Sequence, residues 1–196
     1  MVAVLLGGAA LVAALVVGIN IALGVVGSAL ADNAPRIAAS PAPACPAADP
    51  VTVGDIVVPR GPVAGYCQDR LVNAAQIIAA ARSLGIGPHT QAVGVMTAIG
   101  ETGLRNLDYG DAAGPDSRGL FQQRDNGSWG TLAERMDPYT AALHFFQKAI
   151  RVPGWQTMPA NDLAHAVQGN ADAGYYAQFW PAAQQIVQAL GGQPVP

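Results

Sequence analysis

The sequence predicts a mainly α-helical domain behind an N-terminal transmembrane or signal helix. Three observations lead there. Val2 to Ala31 carry no charged side chain. Apolar residues recur at helical spacing in several later segments. The one stretch with strand character, "VTVGDIVVP" (Val51 to Pro59), is short enough to be a single strand or an extended lead-in.

The first element covers residues 1–31. Its apolar run exceeds the roughly 20 residues needed to cross a bilayer, and only Asn20 and Ser28 are strongly polar. It reads either as an uncleaved anchor or as a long signal peptide cut after "ALA" (Ala29 to Ala31), a small-x-small pattern. The anchor is favoured, because the run outlasts the usual 7–15-residue apolar region of a signal peptide. No Lys or Arg precedes the run, so the positive-inside rule has nothing to act on there, and Arg36 argues weakly for the opposite topology.

The expected location is the cell membrane, single-pass, with the domain outside the cytoplasm; the alternative is secretion after cleavage. Cys45 and Cys67 are the only cysteines. An even pair behind an export-type segment reads as a disulfide in an oxidising compartment. Nucleic acid is excluded as a partner: ten basic side chains face thirteen acidic ones, and the arginines are scattered without a patch.

Residues 32–66 read as a Pro/Ala-rich tether, extended rather than folded, with the short Val51 segment near its end. The first domain helix begins near Gln68. Leu71, Ala74, Ala75, Ile78 and Ala81 share one face, and Asp69, Asn73, Gln76 and Ser83 the other. Gly85 and Gly87 stop it. "HTQAVGVMTAIGETG" is apolar nearly all round, the mark of a buried central helix, with Thr90 able to cap its start and Gly103 fitted to a left-handed stop.

From Arg105 to Arg118 the chain is Gly/Asp-rich loop. Asp137-Pro138 is an N-cap followed by a first-turn proline. The helix after it turns Ala142, Phe145, Phe146, Ala149 and Ile150 inward, with His144, Gln147, Lys148 and Arg151 outward. "VPGW" breaks it, and two short helices follow, around Asn161 to Gln168 and Gly174 to Leu190. Residues 191–196 form a tail, and no internal repeat is evident.

The chemistry concentrates on one side chain. The chain has two glutamates, and Glu134 in "LAERMD" fits a solvated face. Glu101 instead ends the buried helix, where unpaired carbonyls make the potential negative and apolar burial disfavours charge. Both effects favour a carboxyl group that keeps its proton toward neutral pH, as general-acid catalysis requires. The competing reading is a structural carboxylate, paired with Arg105 or capping a neighbouring loop.

Asp108, Asp111 and Asp116 are available as a second carboxylate, but polar turn residues are the readier reading, and their spacing does not fit a calcium loop. His89, His144 and His165 show no metal-ligand spacing, so neither a metal nor another cofactor is expected. Trp129, Trp155 and Trp180 are core residues by default. Trp129 is singled out as a sugar-stacking candidate because it sits in a Gly-rich loop just past "GLFQQ".

"AIGETGLRN" followed by "GLFQQ" resembles the lysozyme-like superfamily, and within it the lytic transglycosylases and goose-type lysozymes. "LRNLDYGD", "GLFQQR", "SWGT", "MDP", "VPGW" and "AVQ", in that order, are similar to a family of actinobacterial exported lysozyme-like proteins. The resemblance spans Gln68 to Leu190. It implies a lysozyme-like domain over residues 67–190, with Glu101 as the catalytic acid and Thr102 where the motif usually has serine. It also implies that Gln122 lines the sugar cleft and that Tyr176 stands on its far wall. Gly100 replaces the more usual glutamine, a change expected to open space beside the acid.

The activity implied is cleavage of the β-1,4 bond between MurNAc and GlcNAc in peptidoglycan by a single glutamate, with a lytic transglycosylase favoured. The alternatives are a hydrolytic muramidase, or a catalytically weak wall-binding or assembly module of a secretion or conjugation machine. The implied partners are glycan strands, the membrane through the N-terminal helix, and such envelope machinery.

Overall fold

The computed structural model describes residues 44–196. The expected transmembrane or signal helix, and residues 32–43 of the expected tether, lie outside the described residues. Among the described residues no helix is long and apolar enough to cross a membrane.

A small hairpin comes first. β1 (Val51–Val53) pairs antiparallel with β2 (Ile56–Val58), in a register that sets Val51 opposite Val58. The helices follow: α1 (Gln68–Ser83), α2 (Pro88–Thr102), α3 (Leu132–Met136), α4 (Pro138–Ala149) and α5 (Ala160–Gln168). A single 3₁₀ turn (Tyr175–Phe179) then leads into α6 (Trp180–Gly191). The described chain is mainly helical.

α2 is the hub. It is buried from Thr90 to Ile99 without a break, and α1, α4, α5 and α6 pack around it. One close approach makes this possible: a Cβ at Gly94 would lie 2.5 Å from the Phe146 ring of α4. Phe145 stacks on Phe121 at 4.9 Å, so the loop before α3 is drawn into the same core. The α1 face read from the sequence is buried as expected at Leu71, Ala74, Ala75, Ile78 and Ala81.

Several expectations change. Residues 51–66 are folded rather than an extended tether, while 46–50 are exposed and without secondary structure. Ile56 and Val58, alternate residues of β2, are buried against α1, and a disulfide joins Cys45 to Cys67. A two-residue period buries one side of even a three-residue strand once a helix lies beneath it. Thr90 does not cap α2: the helix starts with Gly87 as N-cap and Pro88 at its first position, which leaves Thr90 third in the helix and buried. Ile150 is 39% exposed, because the helix has ended before it can be carried inward.

The segment 174–190 is not one helix, since the 3₁₀ turn precedes α6 and Pro181 fits the start of the latter. Glu134 is not simply solvated. It closes a capping box with Thr131, accepting from the Thr131 N–H at 2.7 Å while the Thr131 hydroxyl accepts from the Glu134 N–H.

Candidate active site

The end of α2 is fixed by its own sequence. Gly103 adopts φ +61°, the left-handed conformation that terminates a helix. Its N–H returns to the Ile99 carbonyl at 2.8 Å, and that of Leu104 to Ala98 at 3.2 Å. The turn is pinned to α1 from outside: Arg70 donates to the Gly103 carbonyl at 2.7 Å, and Asn73 to that of Leu104 at 2.9 Å. Glu101, one residue before the helix end, is therefore held rigidly.

One wall of the site is the turn "RGLFQQ". Arg118 and Gln123 exchange backbone hydrogen bonds at 2.9 and 3.1 Å, closing a tight reversal. Gly119 is required there, because its left-handed backbone presses against the Arg135 carbonyl. Gln122 is also left-handed, at φ +46°, an uncommon conformation for a residue with a side chain. Its amide reaches the Tyr109 and Gly119 carbonyls, both at 3.3 Å. Phe121 and Gln123, on either side, point into the core, where Gln123 donates to the Ala141 carbonyl.

The opposite wall is the loop after α5. Asp172 accepts from the Gly174 N–H at 2.8 Å and its carbonyl accepts from Asn170, which shapes the loop into the Tyr175 turn. The Tyr175 hydroxyl donates to the Gly100 carbonyl at 2.8 Å. The Tyr176 hydroxyl donates to Glu101 Oε1. Both tyrosines thus grip the last turn of α2.

Between the walls lies a cleft of about 550 Å³, lined by Gly100, Glu101, Leu107, Tyr109, Asp111, Gln122, Arg124, Asn170, Asp172 and Tyr175, among others. Burial raises the Glu101 pKa above the ordinary carboxylate range, against the lowering effects of the Tyr176 hydroxyl and the Gln168 amide, and with a small push from Asp111. Burial and the neighbouring Glu101 drive the Tyr176 phenol far up, so it remains a hydrogen-bond donor. Among the described residues Glu101 makes no ion pair. Arg105 binds the Thr102 carbonyl instead, at 3.1 Å, so the expected pairing of the glutamate with Arg105 is absent.

No protein-family model matches the chain, and no curated protein matches it. The chemistry of the cleft rests on its geometry.

That geometry brings Glu101 and Gln122 together in the cleft, sets Tyr176 behind Glu101, and keeps Thr102 and Trp129 out of the cleft. Thr102 is buried, its hydroxyl at 3.1 Å from both the Ala98 and Leu120 carbonyls, so it ties the "GLF" turn to α2 and does not line the cleft. Trp129 is only 6% exposed and lies outside the cleft, with the Lys148 ammonium 3.6 Å from its ring centre. His144, expected to face solvent, is half-buried beside it and bonds the Trp129 carbonyl at 2.9 Å. Tyr176 is fully buried; it acts on Glu101 rather than standing on the wall.

Gly100 does not open space. A Cβ there would lie 2.9 Å from the Tyr176 ring and 3.1 Å from Phe179, so the glycine admits those rings against the helix. Sequence reasoning missed Tyr175, Asn170 and Asp172. The "NADAGYY" run carried a turn signal and a tyrosine doublet, the only indications available. Asp116, weighed as a second carboxylate, is engaged by Arg124 at 2.6 Å, whereas Asp111 faces the cleft while accepting from the Ala113 and Gly114 N–H groups. Among the described residues no cluster of three or more His, Cys, Asp or Glu is arranged to hold a metal ion.

Proposed function

We propose that residues 67–190 form a lysozyme-like domain that cleaves the β-1,4 bond between MurNAc and GlcNAc in peptidoglycan, as a lytic transglycosylase. One observation carries the reading. Glu101 opens onto a cleft of mixed polar and apolar lining as a carboxyl group without an ion-pair partner, whose neutral form burial favours. That is the state required of an acid that protonates a glycosidic oxygen.

In this scheme Tyr176 occupies Oε1, which leaves Oε2 to carry the proton. Glu101 gives that proton to the leaving glycosidic oxygen as the bond to the MurNAc anomeric carbon breaks. The resulting carboxylate then takes the proton of the MurNAc 6-hydroxyl, whose oxygen closes onto the anomeric carbon. Glu101 ends protonated and the product carries a 1,6-anhydro ring. Gln122 and Tyr175 are positioned to hold sugar hydroxyls on either side. A muramidase differs only in delivering water in the second step.

The Cys45–Cys67 disulfide supports a location outside the cytoplasm. Attachment to the membrane through residues 1–31, with the domain facing the wall, completes the proposal. The third reading, a wall-binding or assembly module of an envelope machine, predicts binding without release.

Incubating the protein with purified peptidoglycan and weighing the released muropeptides separates these readings. Products lighter by one water than hydrolysis products support the transglycosylase. Reducing-end products alone transfer the proposal to the muramidase, and binding without release transfers it to the module.

A further inference from the structure

A cavity of about 380 Å³ lies where the end of α1, the start of α2 and the end of α6 meet. It shares no residue with the Glu101 cleft. Gln91, on its α2 side, precedes Glu101 by ten positions, a rise of about 15 Å along the helix. The volume is within the range of small-ligand sites.

Gln91 is the unusual lining residue, a polar side chain only 6% exposed. Its Nε2 donates to the Ile86 carbonyl at 2.8 Å, which fixes the amide and turns Oε1 away from that carbonyl. Oε1 takes no hydrogen bond from the described residues, and it is not among the unpartnered atoms closed to solvent. Gly191 shows what the oxygen faces. A Cβ added there would lie 4.0 Å from Gln91 Oε1 and 3.5 Å from Arg82 Nη2, and all three residues line the cavity. The missing side chain of Gly191 thus leaves a gap bordered by a fixed acceptor and a guanidinium.

The neighbours narrow the choice of ligand. Arg82 donates through Nη1 to Asp55 at 2.9 Å and through Nη2 to the Gly191 carbonyl at 3.2 Å. A guanidinium carries five N–H donors, so it has more to give. Asp55 and Arg82 are the charged residues of the lining, and they neutralise each other. A free anion would suit Arg82 but brings no donor for Oε1, and a simple cation has the opposite defect. A group with both a donor and an acceptor satisfies the two together. The remaining wall includes Ile86, Pro88 and Val187, and among the described residues no aromatic ring lines it, so a sugar has no face to stack on. An extended peptide fits better, because the N–H and carbonyl of one residue turn to the same side.

We infer that this cavity is a peptide-binding site apart from the Glu101 cleft, taking a residue whose N–H donates to Gln91 Oε1 and whose carbonyl accepts from Arg82. A small aliphatic side chain on that residue would lie against Ile86 and Val187. The peptide chemistry follows from this cavity alone. Its source, the stem peptides that peptidoglycan carries on its glycan strands, rests on the reading of the cleft as a peptidoglycan-cleaving site.

The test titrates the full chain with acetyl-alanyl-alanine methylamide, a probe without sugar or charge, and follows the Gln91 side-chain amide and the Val187 methyl groups by NMR. The expected result is a saturable shift at both. Gly191→Val fills the gap from a helical position whose added Cβ meets only ordinary contacts, so the fold should hold while binding weakens about tenfold or more. Gln91→Met keeps the shape and removes the acceptor. It should weaken binding by a similar factor, about what losing one hydrogen bond at a buried site costs, read at Val187. Either variant suffices if the other fails to fold. The site is overturned if neither signal moves up to the solubility limit of the probe, or if a folded variant binds it as the parent does. It is equally overturned if N,N′,N″-triacetylchitotriose shifts Gln91 as strongly as the peptide. The titration needs no turnover, so failure of muropeptide release would remove the proposed activity and the stem-peptide source, and still leave the peptide result decisive.

Discussion

Glu101 is protonated at higher pH in the folded chain than its ordinary 4.5, because burial penalises the charged form more than Tyr176 and Gln168 relieve it. The folded state therefore binds the proton more tightly than the unfolded state. Its contribution falls as pH rises through the window between the ordinary and the raised value, and the penalty is complete above it. Glu101→Gln removes that penalty. The variant should melt with the parent below about pH 4.5 and above it at higher pH, while muropeptide release falls by at least about 10²-fold. Earlier melting with release at the parent rate would show a structural glutamate. Tyr176→Phe tests the partner. Losing the phenol removes a lowering influence, so the pH at which release is lost on the alkaline side should rise. The unmet Oε1 should cost about 1–3 kcal/mol on thermal melting. An unmoved pH limb would reduce Tyr176 to packing.

At the scale of elements, α2 carries two glycines that do different work. Gly100 admits the Tyr176 and Phe179 rings, and Gly94 admits Phe146. Alanine gains about 1 kcal/mol of helix propensity at either position, but the added methyl meets a packed ring, a cost of about 1–3 kcal/mol. Both Gly100→Ala and Gly94→Ala should lower the melting temperature. Only Gly100→Ala should also move the alkaline limb, because it displaces the ring that carries the Tyr176 hydroxyl; equal pH profiles for the two would count against this role. The sequence made much of this framework legible. Helical spacing marked the buried face of α1, Asp137-Pro138 marked the start of α4, and Gly103 marked the end of α2, each a local rule obeyed locally. α3 was too short for periodicity, although its capping box, Thr131 to Glu134, was present as a pattern. Which way Thr102 and Trp129 face depends on what packs over them, the Leu120 carbonyl in one case and Lys148 in the other. No local rule supplies that, and Tyr175 escaped for the same reason.

For the whole molecule, the consequential difference lies between residues 44 and 67. Proline and alanine around Cys45 read as an unfolded tether, and a disulfide closing a floppy loop would be expected to stabilise little. The hairpin inside that loop changes the expectation. Ile56 and Val58 are core residues, Asp55 pairs with Arg82 at 2.9 Å, and Gln68 donates to the Asp49 carbonyl at 2.7 Å, so the loop is ordered when the domain is folded. Its ordering cost falls on folding, and the cross-link lowers that cost by restricting the unfolded chain. For a sequence separation of 22 the chain-entropy relation gives about 3 kcal/mol. At roughly 2–4 °C per kcal/mol for a domain of this size, reduction should lower the melting temperature by roughly 6–12 °C. The consequence should reach the site as well. Cys67 is the N-cap of α1, and Arg70 in the turn that follows holds the Gly103 carbonyl beside Glu101. Muropeptide release by the reduced protein should therefore decline a few degrees before global melting, whereas the bridged protein loses both together. Thiol labelling of both cysteines without reductant would refute the bridge. Coincident loss of release and structure after reduction would refute the coupling through Arg70.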